Sequence, residues 1–279
     1  MRFGQIRFEN KITAALVEGD EARPIPGYNT VELIRKAEAE SATLSELAKE
    51  MAMRHSEPFI PAIPIHPVEV WGCGCTYPSE PRSHEGRREE GMYAEAYSQA
   101  RPEIFFKGTA RICVGPGQPA GIRPDSEFTV PEPGLAAVLG RNGNVLGYTL
   151  GNDISGWDLE RANPLYLAQS KIYKGACALG PVIVTPDELP DLNGLEMKCS
   201  VLRQGQTRFS ETVPLAHLSR TVPALLEYLL RANPVPAGSV LLTGTGIRIT
   251  EEAALGSGDA VTVEIPEIGE LSNPAAIVE

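Results

Sequence analysis

Apolar and polar positions alternate through the first 17 residues. Phe3, Ile6 and Phe8, then Ile12, Ala14 and Leu16, flank Glu9-Asn10-Lys11, and that period of two predicts a small β-hairpin. The period then lengthens. Leu44, Leu47, Ala48 and Met51 form one helical stripe. Asn29 with Glu32, and Thr43 with Glu46, have the spacing of capping boxes, so two helices are predicted. Pro58, Pro61, Pro64 and Pro67 recur at the polyproline II repeat and mark a semi-rigid boundary. The interleaved Phe59, Ile60, Ile63 and Ile65 read as packing on the chain's own core; the other reading is a proline motif for a partner's groove.

Short strands follow, over 68–73, 104–106, 182–184, 197–202, 240–242 and 261–265. Residues 83–100 read as a charged helix with Met92, Tyr93, Ala96 and Tyr97 on its apolar face, and residues 160–175 as irregular. Ser219 or Thr221 starts a helix bearing Leu225, Leu226, Leu229 and Leu230, which Asn233-Pro234 stops. Leu135, Val138 and Leu139, then Val145, Leu146, Tyr148 and Leu150, read as two buried strands around the turn Arg141-Asn142-Gly143-Asn144. Glu132 enters that hairpin and Asp153 leaves it, so both are expected at one end.

Composition narrows the class. The chain has 279 residues, 42% of them apolar, which is enough for one large domain or a large one with a small one. Its net charge is −11, without a basic cluster, which argues against a nucleic-acid or anionic-membrane surface. No apolar run approaches a spanning helix, and the first residues lack the order of a signal peptide. Five cysteines fit a reducing cytosol, and Cys73-Gly74-Cys75 is not a thiolate metal motif. Thr243-Gly244-Thr245-Gly246 lacks the spacing of a Walker or Rossmann loop. It reads either as a tight turn or as a backbone turn facing an anion.

The chemistry concentrates between residues 105 and 171. Carboxylates held at strand ends, such as Glu132 and Asp153, suit a hard divalent cation, Mg2+ or Mn2+. The competing reading makes them rim charges beside an ordinary hairpin. Lys171 follows Asp153 by 18 residues and can meet the same pocket, or form a salt bridge with Asp153 or Glu103.

The order Gly72-Cys73-Gly74, Phe105-Phe106-Lys107, Gly115-Pro116-Gly117, Glu132-x-x-Leu135, Asn152-Asp153-Ile154-Ser155, Gly180-Pro181, Thr243-Gly244-Thr245-Gly246 and Gly258-Asp259 resembles the fumarylacetoacetate hydrolase family over nearly all of residues 65–275. Asn163-Pro164-Leu165-Tyr166-Leu167 and Lys171-Ile172-Tyr173 resemble its branch of 2-keto-3-deoxy sugar acid dehydratases. The resemblance implies an α+β fold: a small N-terminal α/β domain over 1–64, ending in the Pro-rich linker, and a larger β-rich roll over 65–279. It also implies a cytoplasmic homodimer or higher homo-oligomer acting on a small 2-keto acid.

The family's metal motif is Glu-x-Glu with a downstream Asp. Glu132 and Asp153 match it, but Gly134 stands in place of the second Glu. The expected metal is Mg2+ (or Mn2+ or Ca2+), weakly bound for want of that carboxylate. On this resemblance Lys171, with a lowered pKa, is the base that takes a proton from C3, and Glu103 is the acid toward the leaving hydroxyl. Ser83, Arg87, Lys107 and Thr245 bind substrate. The family's hydrolases carry a His soon after the first strand; here Thr76-Tyr77 is followed by Pro78, and His84 reads as a surface residue. That absence favours a lyase over the first of two rivals; the second rests on Gly134 and would be favoured by failure to bind Mg2+ or Mn2+. One is C–C hydrolysis, decarboxylation or tautomerisation of acylpyruvate-type 2-keto acids. The other is a non-catalytic member with a decayed metal site.

Overall fold

The structure is a computed structural model that describes residues 1–77, 96–189 and 191–279. Ser83, His84, Arg87, Met92 and Tyr93 lie outside the described residues. The predicted N-terminal hairpin is β1 (Arg2–Phe8) and β2 (Lys11–Glu18), paired from Phe3↔Leu16 to Phe8↔Lys11. Its two-residue turn is left-handed at Glu9 and Asn10, which matches the twist of the flanking strands. β3 (Glu21–Pro24) follows, then α1 (Thr30–Ala39) and α2 (Leu44–Met51). Both predicted capping boxes form: Asn29 and Glu32 bond each other's backbone N–H groups, as do Thr43 and Glu46. In the proline stretch Ile63 and Ile65 are buried, as expected, but Ile60 is exposed.

β1 also pairs antiparallel with β11 (Cys177–Val184), through Arg2↔Val184 and Phe3↔Ile183. The sheet therefore runs without a break from the N-terminal segment into the rest of the chain. Its order adds β4 (Glu57–Pro58) at one edge and, beyond β11, β10 (Val145–Gly156), β9 (Thr129–Leu139), β14 (Ser239–Leu242), β5 (Val70–Gly74) and β6 (Glu103–Gly108). The short β7 (Cys113–Val114) pairs with β11 off this path. A second sheet runs β13 (Gln206–Pro214), β12 (Glu196–Arg203), β15 (Ala260–Ile265), β16 (Gly269–Ile277) and β8 (Ala120–Ile122). Met197, Cys199 and Val201 alternate into its buried face.

The β9–β10 hairpin is the centre of the molecule. Residues 135–139 are almost completely buried, so both faces of β9 are covered and its sequence reads as a continuous apolar run. Both strands extend past the predicted apolar stretch, to Thr129 and Gly156, and this extension carries the acidic residues.

Residues 160–175 differ from the irregular segment expected. They hold the end of α3 (Trp157–Ala162), a 3-10 turn at Pro164–Tyr166, and α4 (Leu167–Lys171). Neither helix is long enough to show a hydrophobic period, and the tie that fixes α3 is non-local. Asp158 accepts bonds from Ser126 Oγ (2.6 Å) and the Glu127 N–H (2.9 Å), and the Trp157 N–H donates to the Phe128 carbonyl (3.0 Å). The last helix, α5 (Val222–Leu229), starts at Thr221, whose hydroxyl accepts from the Ala224 N–H. No helix among the described residues is long and apolar enough to cross a membrane.

Candidate active site

Asp153 and Glu132 are direct partners in the β9–β10 register. Residues opposite each other across a strand pair point to the same face, so the hairpin itself brings the two carboxylates together. α4 then places Lys171 against them. Its ammonium donates to Glu132 Oε2 and to Ser155 Oγ (2.7 Å), and lies 3.4 Å from Asp153 Oδ2. The Ser155 hydroxyl donates in turn to Glu132 Oε2 (2.5 Å).

A third carboxylate faces the same ammonium. Glu160 Oε2 is 3.6 Å from Lys171 Nζ, with only 12% of its side chain exposed. Glu160 was not among the expected site residues because the segment it sits on gave no readable period. Trp157, Glu160 and Arg161 stand at i, i+3 and i+4, the spacing of one helix face, and all three line the cavity. Arg161 stacks on Trp157, 4.6 Å from the ring centre. Glu103 enters from β6. Its register partner is Gly74, where a Cβ would collide with the Glu103 carboxylate, so the absent side chain is what admits the acid. Glu103, Glu132, Asp153, Glu160, Lys171 and Thr245 thus share one cavity of about 1080 Å3, open solvent at its mouth included.

The electrostatics follow from this crowding. Burial alone would lower the pKa of Lys171, but Asp153, Glu132 and Glu160 together raise it well above its ordinary value. The carboxylates thus hold Lys171 as an ammonium, against the lowered pKa expected from sequence. Burial raises the carboxyl of Glu103, and the neighbouring charge of Glu160 adds to it. Burial also raises Glu160, against the opposing pull of Lys171.

Lys107 is the clearest correction to the expected substrate contacts. It is fully buried, donates hydrogen bonds to the Lys171 carbonyl (2.5 Å) and the Ile154 carbonyl (3.1 Å), and forms an ion pair with Asp153 Oδ1 (2.5 Å). It clamps β10 to α4 and does not face the cavity. Thr245 does line the cavity, with its hydroxyl accepting from the Ile247 N–H (3.1 Å). Ser83 and Arg87 lie outside the described residues.

Residues 69–276 match the model of the fumarylacetoacetate (FAA) hydrolase C-terminal domain. The chain belongs to the fumarylacetoacetate hydrolase family. Within that family it is 44% identical over 219 residues to 2-dehydro-3-deoxy-D-arabinonate dehydratase of Saccharolobus solfataricus, covering 76% of this chain and 72% of that one. It is 40% identical over 220 residues to a probable 2-keto-3-deoxyxylonate dehydratase of Haloferax volcanii, covering 77% and 75%. A structure of 2-keto-3-deoxy-D-arabinonate dehydratase complexed with magnesium and 2,5-dioxopentanoate superposes over 100% of both chains, with a TM-score of 0.82 and 33% identity. The dehydratase branch read from the residues is the one these relatives carry.

Gly134 is the position at which the resemblance leads one to expect a second carboxylate. A Cβ built on Gly134 falls inside contact distance of the Gly244 carbonyl oxygen. The position is filled by backbone. Among the described residues no group of three or more His, Cys, Asp or Glu converges as a metal-ligand set. What remains fits a divalent cation in another way. Mg2+ is commonly held by one or two carboxylates plus waters and substrate oxygens, and Glu132 and Asp153 are a paired, cavity-facing set of that kind.

Proposed function

We propose that this chain dehydrates 2-keto-3-deoxy sugar acids, with five-carbon acids as the first class to test and 2,5-dioxopentanoate as the product. The observation that carries the reading is the placement of Lys171 against Glu132 and Asp153, with Glu103 across the same cavity. Dehydration removes a proton from C3, beside the ketone, and expels the hydroxyl of C4. Lys171 is the group for the C3 proton. Glu103, kept protonated more readily by its burial, is the acid for the leaving hydroxyl. Thr245 offers its hydroxyl to the substrate carboxylate or a substrate hydroxyl.

Glu132 and Asp153 would hold a divalent cation, which when bound supplies Lewis acidity toward the C2 oxygen. Glu132 and Asp153 are also two of the three carboxylates that keep the proton on Lys171, so a cation held by them would favour its release. With backbone at the third position, the cation would bind weakly alone and more tightly once a 2-keto acid added its own oxygens.

The test is Mg2+-dependent turnover of 2-keto-3-deoxy pentonates, together with Mn2+ titrations with and without pyruvate. Formation of 2,5-dioxopentanoate, and a Mn2+ affinity that rises with pyruvate, are the expected results. No turnover at saturating Mg2+ would overturn the reading.

A further inference from the structure

Loss of water across C3 and C4 does not by itself make 2,5-dioxopentanoate. It leaves the enone 5-hydroxy-2-oxopent-3-enoate, with its double bond between C3 and C4. To reach the aldehyde, a proton must leave C5 and another must return to C3, which shifts the double bond to C4 and C5. The resulting C5 enol then loses its hydroxyl proton and gains one at C4. The sum is an isomerisation with no change of oxidation state, and it needs a second base near C5.

We propose that Glu160 is that base, taking the C5 proton of the enone and returning it at C4, while Lys171 returns the C3 proton. This inference rests on the dehydratase reading above. Its geometric basis is that Glu160 Oε2 and Lys171 Nζ are 3.6 Å apart on one cavity, a separation suited to two groups serving carbons two bonds apart in one bound chain. Glu160 comes from α3 and Lys171 from α4. Glu132 and Asp153 mark the sheet side, where the C1 and C2 oxygens belong on the proposed reading. Glu160 marks the α3 side, with Trp157 and Arg161 beside it. A carbon chain anchored at the sheet and lying across Lys171 ends at α3. Glu160 is also held without being used up. Asp158, not Glu160, fixes the helix to residues 126–127, and Ser170 Oγ donates to the Glu160 carboxylate at 3.4 Å.

The test separates the two halves of the reaction by supplying either the sugar acid or the enone itself. The wild-type protein with Mg2+ is expected to convert the enone to 2,5-dioxopentanoate. Glu160→Gln, which keeps the shape of the side chain, is expected to lower that isomerisation about 100-fold, the usual worth of a general base. Water loss from the sugar acid, which depends on Lys171, is expected to fall much less than the isomerisation, so the enone accumulates and is read by its absorbance. Glu160→Asp is expected to recover part of the isomerisation, which a folding defect would not allow.

Three results would overturn the proposal: a wild-type protein inert toward the enone, a Glu160→Gln protein that isomerises it at the wild-type rate, or equal loss of both steps in Glu160→Gln. The last would make Glu160 a positioning residue for Lys171. A wild-type protein that isomerises the enone through Glu160 but leaves the sugar acid untouched would remove the dehydratase reading and keep this one.

Discussion

The carbonyl oxygen of Gly244 stands where a side chain at Gly134 would begin. Gly244 itself has a φ of +92°, and a Cβ there would meet Thr76 and the Cys73 carbonyl, so its backbone has little room to retreat. Gly134→Glu, which on sequence grounds restores the family's second carboxylate, is therefore expected to cost about 1–3 kcal/mol of stability by overpacking, without tightening Mn2+ binding. Chemical denaturation and a Mn2+ titration of the variant check both halves.

Lys171→Ala removes the ammonium from among three carboxylates and the base from the reaction. Turnover of a 2-keto-3-deoxy pentonate is expected to fall by about 10²–10⁴. A variant that kept its kcat would place the C3 proton elsewhere.

Lys107→Met tests the clamp rather than the chemistry. It breaks a fully buried ion pair and leaves two backbone carbonyls without their donor. A loss of about 3–5 kcal/mol is expected, seen as a lower denaturation midpoint.

The acid titration of stability has two parts of opposite sign. The Asp259 carboxyl is held below its ordinary 3.8, first by its hydrogen bonds from Arg203, so its contribution is present above that value and lost as pH falls below it. Glu103 and Glu160 are raised above their ordinary 4.5, first by burial, so the folded state holds their protons longer than the unfolded chain. Stability from these two is present below 4.5 and declines as pH rises through their folded values. Thermal melts from pH 3 to pH 7 should show a maximum on the acid side, and Glu160→Gln should flatten the decline above it.

Much of this was readable in the residues, and the gaps have physical causes. The capping boxes are local, so Asn29–Glu32 and Thr43–Glu46 were legible from spacing alone. The Glu132–Asp153 pairing was legible because a hairpin's register follows from its turn. Glu160 was not, because α3 is fixed by Asp158 reaching a segment some thirty residues earlier. The clamp made by Lys107 was not legible because its position beside the site was visible in the motif, while its ion-pair partner Asp153 and its two carbonyl acceptors, at Ile154 and Lys171, come from distant segments. The strands β13 and β16 were missed because they carry many polar residues along partly exposed faces.

The pairing of β1 with β11 bears on what counts as a module here. The family match begins at residue 69, yet β11 takes its outer hydrogen bonds from residues 2 and 3, and the Thr185 N–H donates to the Met1 carbonyl. A fragment cut at the family boundary would expose part of an apolar strand edge one strand away from Asp153, open to another chain that can add to it. The first hairpin is thus a built-in sealing strip, and the unit that recombination could move intact is larger than the unit that sequence comparison marks out.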